Sequence, residues 1–435
     1  MKRRNGGAGT IAYTCPCCGA PLSYGAQSGK LECGACLNSY DIEALEVMQA
    51  PQEQSGVHFD LPAETFGAED EQEIQAYICK GCGAELMTQE TTTATECPYC
   101  GSPTVLPDRI EGGVKPELVV PFVVTKEEAQ EQFEAYFKGK KLLPNVFLTT
   151  RNRIAEMRRL YVPYWLFDCS AYGDIIYDAQ RRHVRREGEW EIVDTEHYAV
   201  RRAGGMTFEN IPVDGSEKLD NAITESLEPY DLSTAVPFQP AVLAGAMADH
   251  ADVDAESCVE RVRTRVERSM EDALRGTVGG YSSVTARSRS IRSEDGRATP
   301  VLMPVWLITT EKEGATYTFA INGQTGKLTC DVPADTKKSL LWGVGVFAGV
   351  FAVAAVVMML MAMLDGFGLA FSAVIALIAA FIVVAVLKAE LKQAEFQSAA
   401  GSYVSENSFN LDVRMDHYLY TTTQRRRIEQ NNPKK

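Results

Sequence analysis

The chain has 435 residues, is 45% hydrophobic and carries 43 Lys and Arg against 58 Asp and Glu, a formal net charge of -15. That is enough length for about two soluble units plus a membrane anchor. So acidic a balance excludes bulk electrostatic attraction to nucleic acid or anionic lipid and leaves only local patches for such binding.

The first residues, MKRRNGGAGT, bring charge with no apolar run behind them, so they do not read as a secretory signal. Eight of the twelve cysteines then fall into two copies of C-x2-C-x14-C-x2-C: Cys15, Cys18, Cys33 and Cys36, followed by Cys79, Cys82, Cys97 and Cys100. Each position of the second copy lies 64 residues after its counterpart, and Gly19, Ala20, Leu22 and Glu32 recur as Gly83, Ala84, Leu86 and Glu96. A C-x2-C knuckle offers two thiolates from one tight turn, and two knuckles complete a tetrahedral four-cysteine zinc site. Disulfides or unrelated buried thiols would not explain so regular a spacing. Two zinc ions per chain are expected, in ribbons over residues 11–40 and 75–108, with Cys17 a spectator. A site of four thiolates has no open position for substrate or water, so its metal is structural. Each ribbon is too small to bury a core, so zinc is expected to supply most of its folding free energy.

Between the ribbons, residues 41–74 contain ten Asp or Glu and no Lys or Arg. They read as an acidic linker, partly disordered or weakly helical from Glu69 to Ile78, that lets the ribbons move independently.

Residues 115–334 have the composition of a globular α+β domain. VVPFVVTKEEAQEQFEAYFKG reads as a strand and a helix: Thr125 is the N-cap, Glu128 completes a capping box, Ala129, Phe133 and Phe137 share a face, and Gly139 stops it. Arg159 to Tyr177 reads as two strands, with more at Trp190–Arg201 and Gly205–Val213. A helix over Ala255–Arg275 has the apolar stripe Val259, Val262, Val266, Met270 and Leu274, with Arg261, Arg263, Arg265 and Arg268 on the remaining surface. Strands return at Tyr281–Arg292, Thr299–Thr309 and in the hairpin TYTFAINGQTGKLTCDV. Pro163-Tyr-Trp165-Leu166 and Pro304-Val-Trp306-Leu307 resemble one strand used twice, which suggests a duplicated helix-plus-antiparallel-sheet unit. NGQTGK is hairpin chemistry, two residues too short for a phosphate loop and followed by no helix.

Leu340–Leu364 and Leu369–Leu387 contain no charge. At about 1.5 Å per residue they reach about 37 and 28 Å, enough to cross a hydrocarbon core of about 30 Å. Asp365, Gly366, Phe367 and Gly368 alone separate them, so residues 340–387 read as a two-helix transmembrane hairpin. Lys337, Lys338, Lys388 and Lys392 flank its outer ends, and the positive-inside rule then puts both chain termini in the cytoplasm. The zinc thiols would face a reducing compartment. Gly345 and Gly349 are too common a pair in such helices to define a dimer. Residues 388–435 read as a cytoplasmic segment: a helix to Ala399, a half-buried strand over Ser408–Tyr420 expected to pair with the cytoplasmic sheet or a dimer mate, and a basic tail, Arg425–Arg427 with Lys434 and Lys435, that is either within reach of lipid headgroups or simply solvated.

The motifs CPCCGAPL with LECGAC, ICKGCGAEL with ECPYCGSPTVLPDR, then VVPFVV, YVPYWLFD, the PVDGS segment, LMPVWLITT and YTFAINGQTGKL before a hydrophobic hairpin resemble a family of bacterial membrane proteins with tandem TFIIB-type zinc ribbons. The resemblance covers residues 11 to about 390. It implies the ligand role for the eight cysteines and a membrane-anchored cytoplasmic scaffold, some of whose relatives occur with phage-shock-type and SPFH-type membrane-stress proteins. It carries no catalytic residues. Members are often labelled primosomal helicase-like on the ribbons alone, but this chain lacks the phosphate loop of a helicase.

No catalytic residue is therefore expected. His58, His183, His197, His250 and His417 are scattered, and Cys169, with His183 or His197 as an imagined base, reads as a core thiol. The expected function is non-enzymatic: an adaptor recruiting a cytoplasmic protein to the membrane. The alternative is membrane-tethered nucleic-acid binding, through Lys2, Arg3, Arg4 and Lys30 with Tyr13 and Tyr24 for stacking. Against it, the second ribbon sets Glu85, Glu90 and Glu96 against Lys80.

Overall fold

The computed structural model describes residues 13–48, 59–60, 64–67, 70, 74–89, 96–102, 105–108, 113–145, 147, 157–312, 315–330, 332–360, 366–391 and 396–427. In chain order these form β1 (Leu22–Gly25), β2 (Lys30–Cys33), β3 (Ser39–Tyr40), α1 (Ile42–Met48), β4 (Phe59–Asp60), β5 (Ile74–Cys79), β6 (Glu85–Gln89), β7 (Val105–Asp108), β8 (Leu118–Val119) and α2 (Lys126–Phe137). There follow β9 (Arg158–Glu187), β10 (Trp190–Asp214), α3 (Asn221–Ser226), β11 (Val236–Pro237), β12 (Met247–Asp249), α4 (Ala255–Gly276), β13 (Ser283–Lys312), β14 (Ala315–Asn322) and β15 (Leu328–Cys330). Two apolar helices, α5 (Thr336–Leu360) and α6 (Gly366–Ala389), precede the last strand, β16 (Asn410–Arg427).

The spine is the antiparallel pairing of β9 with β13, from Ser283 opposite Gln180 to Leu307 opposite Arg158. β10 flanks β9 and carries β16 on its far edge, while β14 flanks β13. Where the sequence suggests separate short strands, each of these segments runs on as one. Bulges at Phe208/Ile211 and at Glu294/Arg297 lie on either side of Asp168, whose Oδ1 accepts from the Asn210 N–H at 2.6 Å. The irregular residues are absorbed as bulges because neighbours on both sides keep the ladder in register. From Leu160 to Phe167 β9 is buried on both faces, which accounts for the unbroken apolar run there. Beyond Asp168 burial alternates, with Ile175, Tyr177 and Ala179 facing α4.

The suggested duplication is visible bond by bond. Trp165 donates its indole N–H to the Val253 carbonyl at 2.9 Å, and Trp306 donates to the Val124 carbonyl at 3.0 Å. Val253 and Val124 each precede an N-cap, Asp254 of α4 and Thr125 of α2. Gly215 N–H bonds Pro163 O and Gly323 N–H bonds Pro304 O, both at 2.8 Å. β12 runs parallel to β9 at Leu160 and Tyr161, and β8 runs parallel to β13 at Val301 and Leu302. The two helices are exchanged: α2 precedes β9 but packs on Trp306 and Phe319, and α4 precedes β13 but packs on β9 and β10. Gly215 and Gly323 are explained by this crossing. A Cβ at Gly323 would lie 2.6 Å from the Phe122 ring, and one at Gly215 would lie 3.2 Å from the Trp165 indole nitrogen.

The capping box of α2 is present in full, and Gly139 follows it at φ 87°. On α4 the expected stripe is buried from Val262 to Leu274, with Val259 half-buried, but two of the helix's arginines are not surface groups. Arg265 is buried against Glu228 at 2.7 Å, and Arg261 reaches Asp214 and Glu225 at 2.7 and 2.6 Å. Pairing is what permits this burial. The segment after α6 seals the cluster: Gln397 N–H bonds Glu225, and the Tyr403 hydroxyl donates to Glu228 at 2.5 Å. This segment is not the helix expected to Ala399, since α6 ends at Ala389 and residues 396–400 are irregular. β16 pairs with β10 of its own chain, and Arg427 lies opposite Trp190, at the end of the sheet remote from α5 and α6. The basic run Arg425–Arg427 therefore belongs to the sheet tip and not to a tail beside the apolar helices.

The acidic linker is partly structured. Phe59 and Phe66 are buried, β4 pairs with β13, and the stretch expected as weak helix contains β5. Lys392 and Asp365 lie outside the described residues.

Asp249 at the end of β12 is buried, and burial pushes its carboxyl up to about 7 although the Ser216 and Tyr99 hydroxyls donate to it. The folded state thus holds a proton that the unfolded chain releases at ordinary carboxylate pH, so its contribution to stability is present in acid and lost as pH rises through about 7. Asp249→Asn is expected to gain melting temperature relative to the native chain between about pH 5.5 and about pH 8. A difference independent of pH would contradict this.

Candidate metal centres

Each knuckle is a tight turn closed by its own backbone. In the first ribbon Cys15 N–H bonds Ala20 O, Gly19 N–H bonds Cys15 O, and Gly19 has φ 75°. In the second, Cys79 and Ala84, then Gly83 and Cys79, repeat those bonds with Gly83 at φ 71°. The downstream knuckles also match, with Leu37 N–H to Cys33 O and Gly101 N–H to Cys97 O. There the two ribbons differ: Leu37 stands at φ 61° where its counterpart is Gly101 at φ 68°.

The turns bring the expected residues together. In each ribbon four sulfurs lie within 4.8 Å of one another: Cys15, Cys18, Cys33 and Cys36 in the first, Cys79, Cys82, Cys97 and Cys100 in the second. Cys15 to Cys36 and Cys18 to Cys33 are 3.5 Å apart, and Cys79 to Cys100 and Cys82 to Cys97 are 3.6 and 3.7 Å apart. A tetrahedron with metal–sulfur bonds of about 2.3 Å has edges of about 3.8 Å, so one ion fits each cluster. Hydrogen-bond donors favour thiolate at Cys15 and Cys36 in the first set and at Cys79 in the second; Cys15 is lowered because the Tyr40 hydroxyl and the Cys18 and Cys17 amides outweigh its burial. Cys36 is lowered to about 6, chiefly by the Asn38 N–H, and Cys79 falls to about 7 because donors at Cys82 and Gly81 outweigh its burial. Cys17 lies outside the cluster.

The two centres are held differently. Ribbon one, with β1 to β3 and α1, is a separate three-stranded sheet resting on the face of β10 and β16 opposite α4. The Tyr40 hydroxyl lies 3.0 Å from Cys15 Sγ, and the Tyr40 ring meets Tyr420 edge-on, with His197 stacked on Tyr420 at 4.4 Å. Ribbon two is not an independent module. β6 pairs with β12, β5 and β7 extend the same sheet, and Cys79, Ala84, Leu86, Cys97 and Tyr99 belong to the main core. Tyr99, between the last two cysteines, donates to Asp249 at 2.5 Å, and Arg158 pairs with Glu96. The expectation of freely moving ribbons is therefore corrected: each is docked on the sheet domain.

Cys17 is exposed, whereas Cys169, Cys258 and Cys330 are core thiols. Burial pushes Cys169 and Cys258 up to about 12, and Cys169 pairs with Phe208, away from His183 and His197 on the far part of the sheet. Lys30 is bonded to Asp41 at 3.1 Å, and Lys2, Arg3 and Arg4 lie outside the described residues.

Two four-cysteine clusters on a mixed-sheet domain, followed by two apolar helices, define the class of this protein. The uncharacterized protein YdjG of Bacillus subtilis (strain 168) is 32% identical over 341 residues, covering 78% of this chain and 95% of that protein. The chain belongs to the same family as YdjG. No family model matches it, and no solved structure matches it.

Metal analysis of the full chain is expected to find about two ions, Cys79→Ser about one, and Cys17→Ser no change. Cys79→Ser should also lower the main thermal transition, whereas Cys18→Ser should chiefly undock ribbon one. Equal metal content in Cys79→Ser and the native chain would exclude the assignment.

Proposed function

We propose that the chain is a membrane-anchored cytoplasmic adaptor whose two zinc ribbons are structural and whose first ribbon recruits a protein partner. Leu37 carries this reading. A leucine in the left-handed region costs about 1–2 kcal/mol relative to glycine, yet here it is 87% exposed among the described residues, so burial does not offset the strain. A strained, solvent-facing apolar side chain at a rigid knuckle has the character of a contact residue, with Tyr24, 61% exposed, on the same ribbon.

The anchor reading is supported by how the domain grips α5 and α6. At the start of α5 Asp335 Oδ1 accepts from the Lys337 and Lys338 amides, and Lys338 Nζ reaches Leu143 O at 2.6 Å. At the end of α6 the Tyr136 hydroxyl donates to Leu391 O at 2.9 Å, and Lys140 Nζ reaches Glu390 O at 2.7 Å. Both outer ends thus meet the same soluble face, as a hairpin of two spans requires. Their apolar surfaces, Phe367, Leu377 and Phe381 among them, are exposed. Ribbon one packs on Ala199, whose β9 partner is Asp178, about 65 Å further along β9 from Arg158 at about 3.3 Å per residue. It would be displayed well into the cytoplasm. The family resemblance adds membrane stress as the setting for such recruitment.

Nucleic-acid binding has less support. Lys30 is neutralised by Asp41, and ribbon two is seated in the main body.

Leu37→Gly separates the readings. It is expected to keep both metals, retain membrane association and hold or raise ribbon stability, while a cytoplasmic partner that co-purifies with the native chain from detergent extracts is lost. Unchanged partner recovery would sink the proposed contact. For topology, an impermeant thiol reagent on intact cells is expected to label a cysteine replacing Gly366 and to spare one replacing Gly401; the reverse would invert the orientation.

A further inference from the structure

The base of the hairpin is surrounded by lysines that come from three separate parts of the chain. Lys138, Lys140 and Lys141 follow α2, Lys337 and Lys338 open α5, and Lys388 ends α6. Residues 138–145, 335–342 and 386–391 together hold these six lysines against two acids, Asp335 and Glu390, in a chain whose net charge is -15. The fold therefore concentrates positive charge at one place against the overall balance.

Contacts set the height of this collar. Lys141 Nζ lies 4.5 Å above the Trp342 ring, in the first turn of the apolar run, and Lys140 Nζ bonds Glu390 O, three residues beyond Leu387, where the uncharged run of α6 ends. The soluble-domain loop is thus level with both ends of the apolar segments. Lys138, Lys141, Lys337 and Lys388 are exposed. An ammonium has three donors, so even Lys140, with one bond to a carbonyl, has donors left for an incoming oxygen. Tryptophan at this level is the side chain that settles at a bilayer interface.

We propose that the loop after α2 is a lipid-binding surface: Lys138, Lys140 and Lys141, with Lys337, Lys338 and Lys388, form a collar that holds anionic phospholipid headgroups around the hairpin. The occupant is a bilayer surface because the collar is continuous with the apolar helices and complementary in sign to anionic headgroups. The inference rests on the membrane-anchor reading and assigns it a lipid preference contributed by the soluble domain.

The test uses the full chain in phosphatidylcholine vesicles doped with spin-labelled phosphatidylglycerol or spin-labelled phosphatidylcholine, reading the motionally restricted fraction of each. Phosphatidylglycerol is expected to be preferred by about fivefold or more, the factor that about 1 kcal/mol per basic residue implies. The preference should fall toward equality in Lys138→Gln/Lys141→Gln and in high salt, and Lys126→Gln at the far end of α2 should leave it intact. Equal association of the two lipids with the native chain, or a preference unchanged in the double variant, would overturn the collar while the anchor stood. Release of the chain from vesicles by alkaline carbonate would overturn both.

Discussion

The structure depends on the antiparallel contact between β9 and β13. Each strand carries a tryptophan whose indole N–H holds the carbonyl just ahead of the helix packed beneath it, Trp165 to Val253 and Trp306 to Val124. Each bond satisfies a polar group that burial would otherwise leave without water. Because the helices are exchanged between halves, neither half can bury its apolar face without the other. The two repeats are therefore one cooperative body. β12 and β8, the short parallel strands on the flanks of this contact, give ribbon two and β11 equivalent places to pair.

This arrangement explains why the two metal clusters, so alike in sequence, have different positions in the fold. Ribbon two continues the sheet through β6 and β12, and its Cys79 and Cys97 share a core with Tyr164 and Val301. Ribbon one touches the body through Tyr40, Ala44 and Leu45 against Ala199, Leu419 and Tyr420. A metal in the second centre would stabilise the domain, and a metal in the first would hold a displayed surface in shape. The segment from Gln397 to Tyr403 ties the exit of α6 to the buried pairs of α4, so the apolar hairpin and the strand bearing ribbon one are mechanically joined.

Much of this was legible in the chain. Cysteine spacing is a local property of turns, and the eight clustered sulfurs are the eight that the spacing singles out. The capping box of α2, the stripe of α4 and the repeated Pro-x-Trp-Leu strands are likewise local patterns, and each has its counterpart in the fold. What was hidden is set by distant partners. Residues 202–204 and 293–298 read as breaks between strands, yet β10 and β13 run through them because the neighbouring strands hold the ladder. Arg265 reads as surface because the groups that make its burial possible, Glu228 and the Pro212 carbonyl, come from elsewhere along the chain. Leu37 carried no signal alone. It stands out when its positive φ is set beside that of Gly101, at the equivalent knuckle.

The central proposal is that ribbon one, far along the sheet from the apolar helices, presents Leu37 to a cytoplasmic protein. Replacing Leu37 by a photo-crosslinking amino acid in the full chain, irradiating cells and analysing the membrane fraction tests it directly. The account predicts a discrete adduct with one cytoplasmic protein, lost when Cys18→Ser removes the first centre. Adducts confined to nucleic acid, or a protein adduct that survives Cys18→Ser, would contradict it.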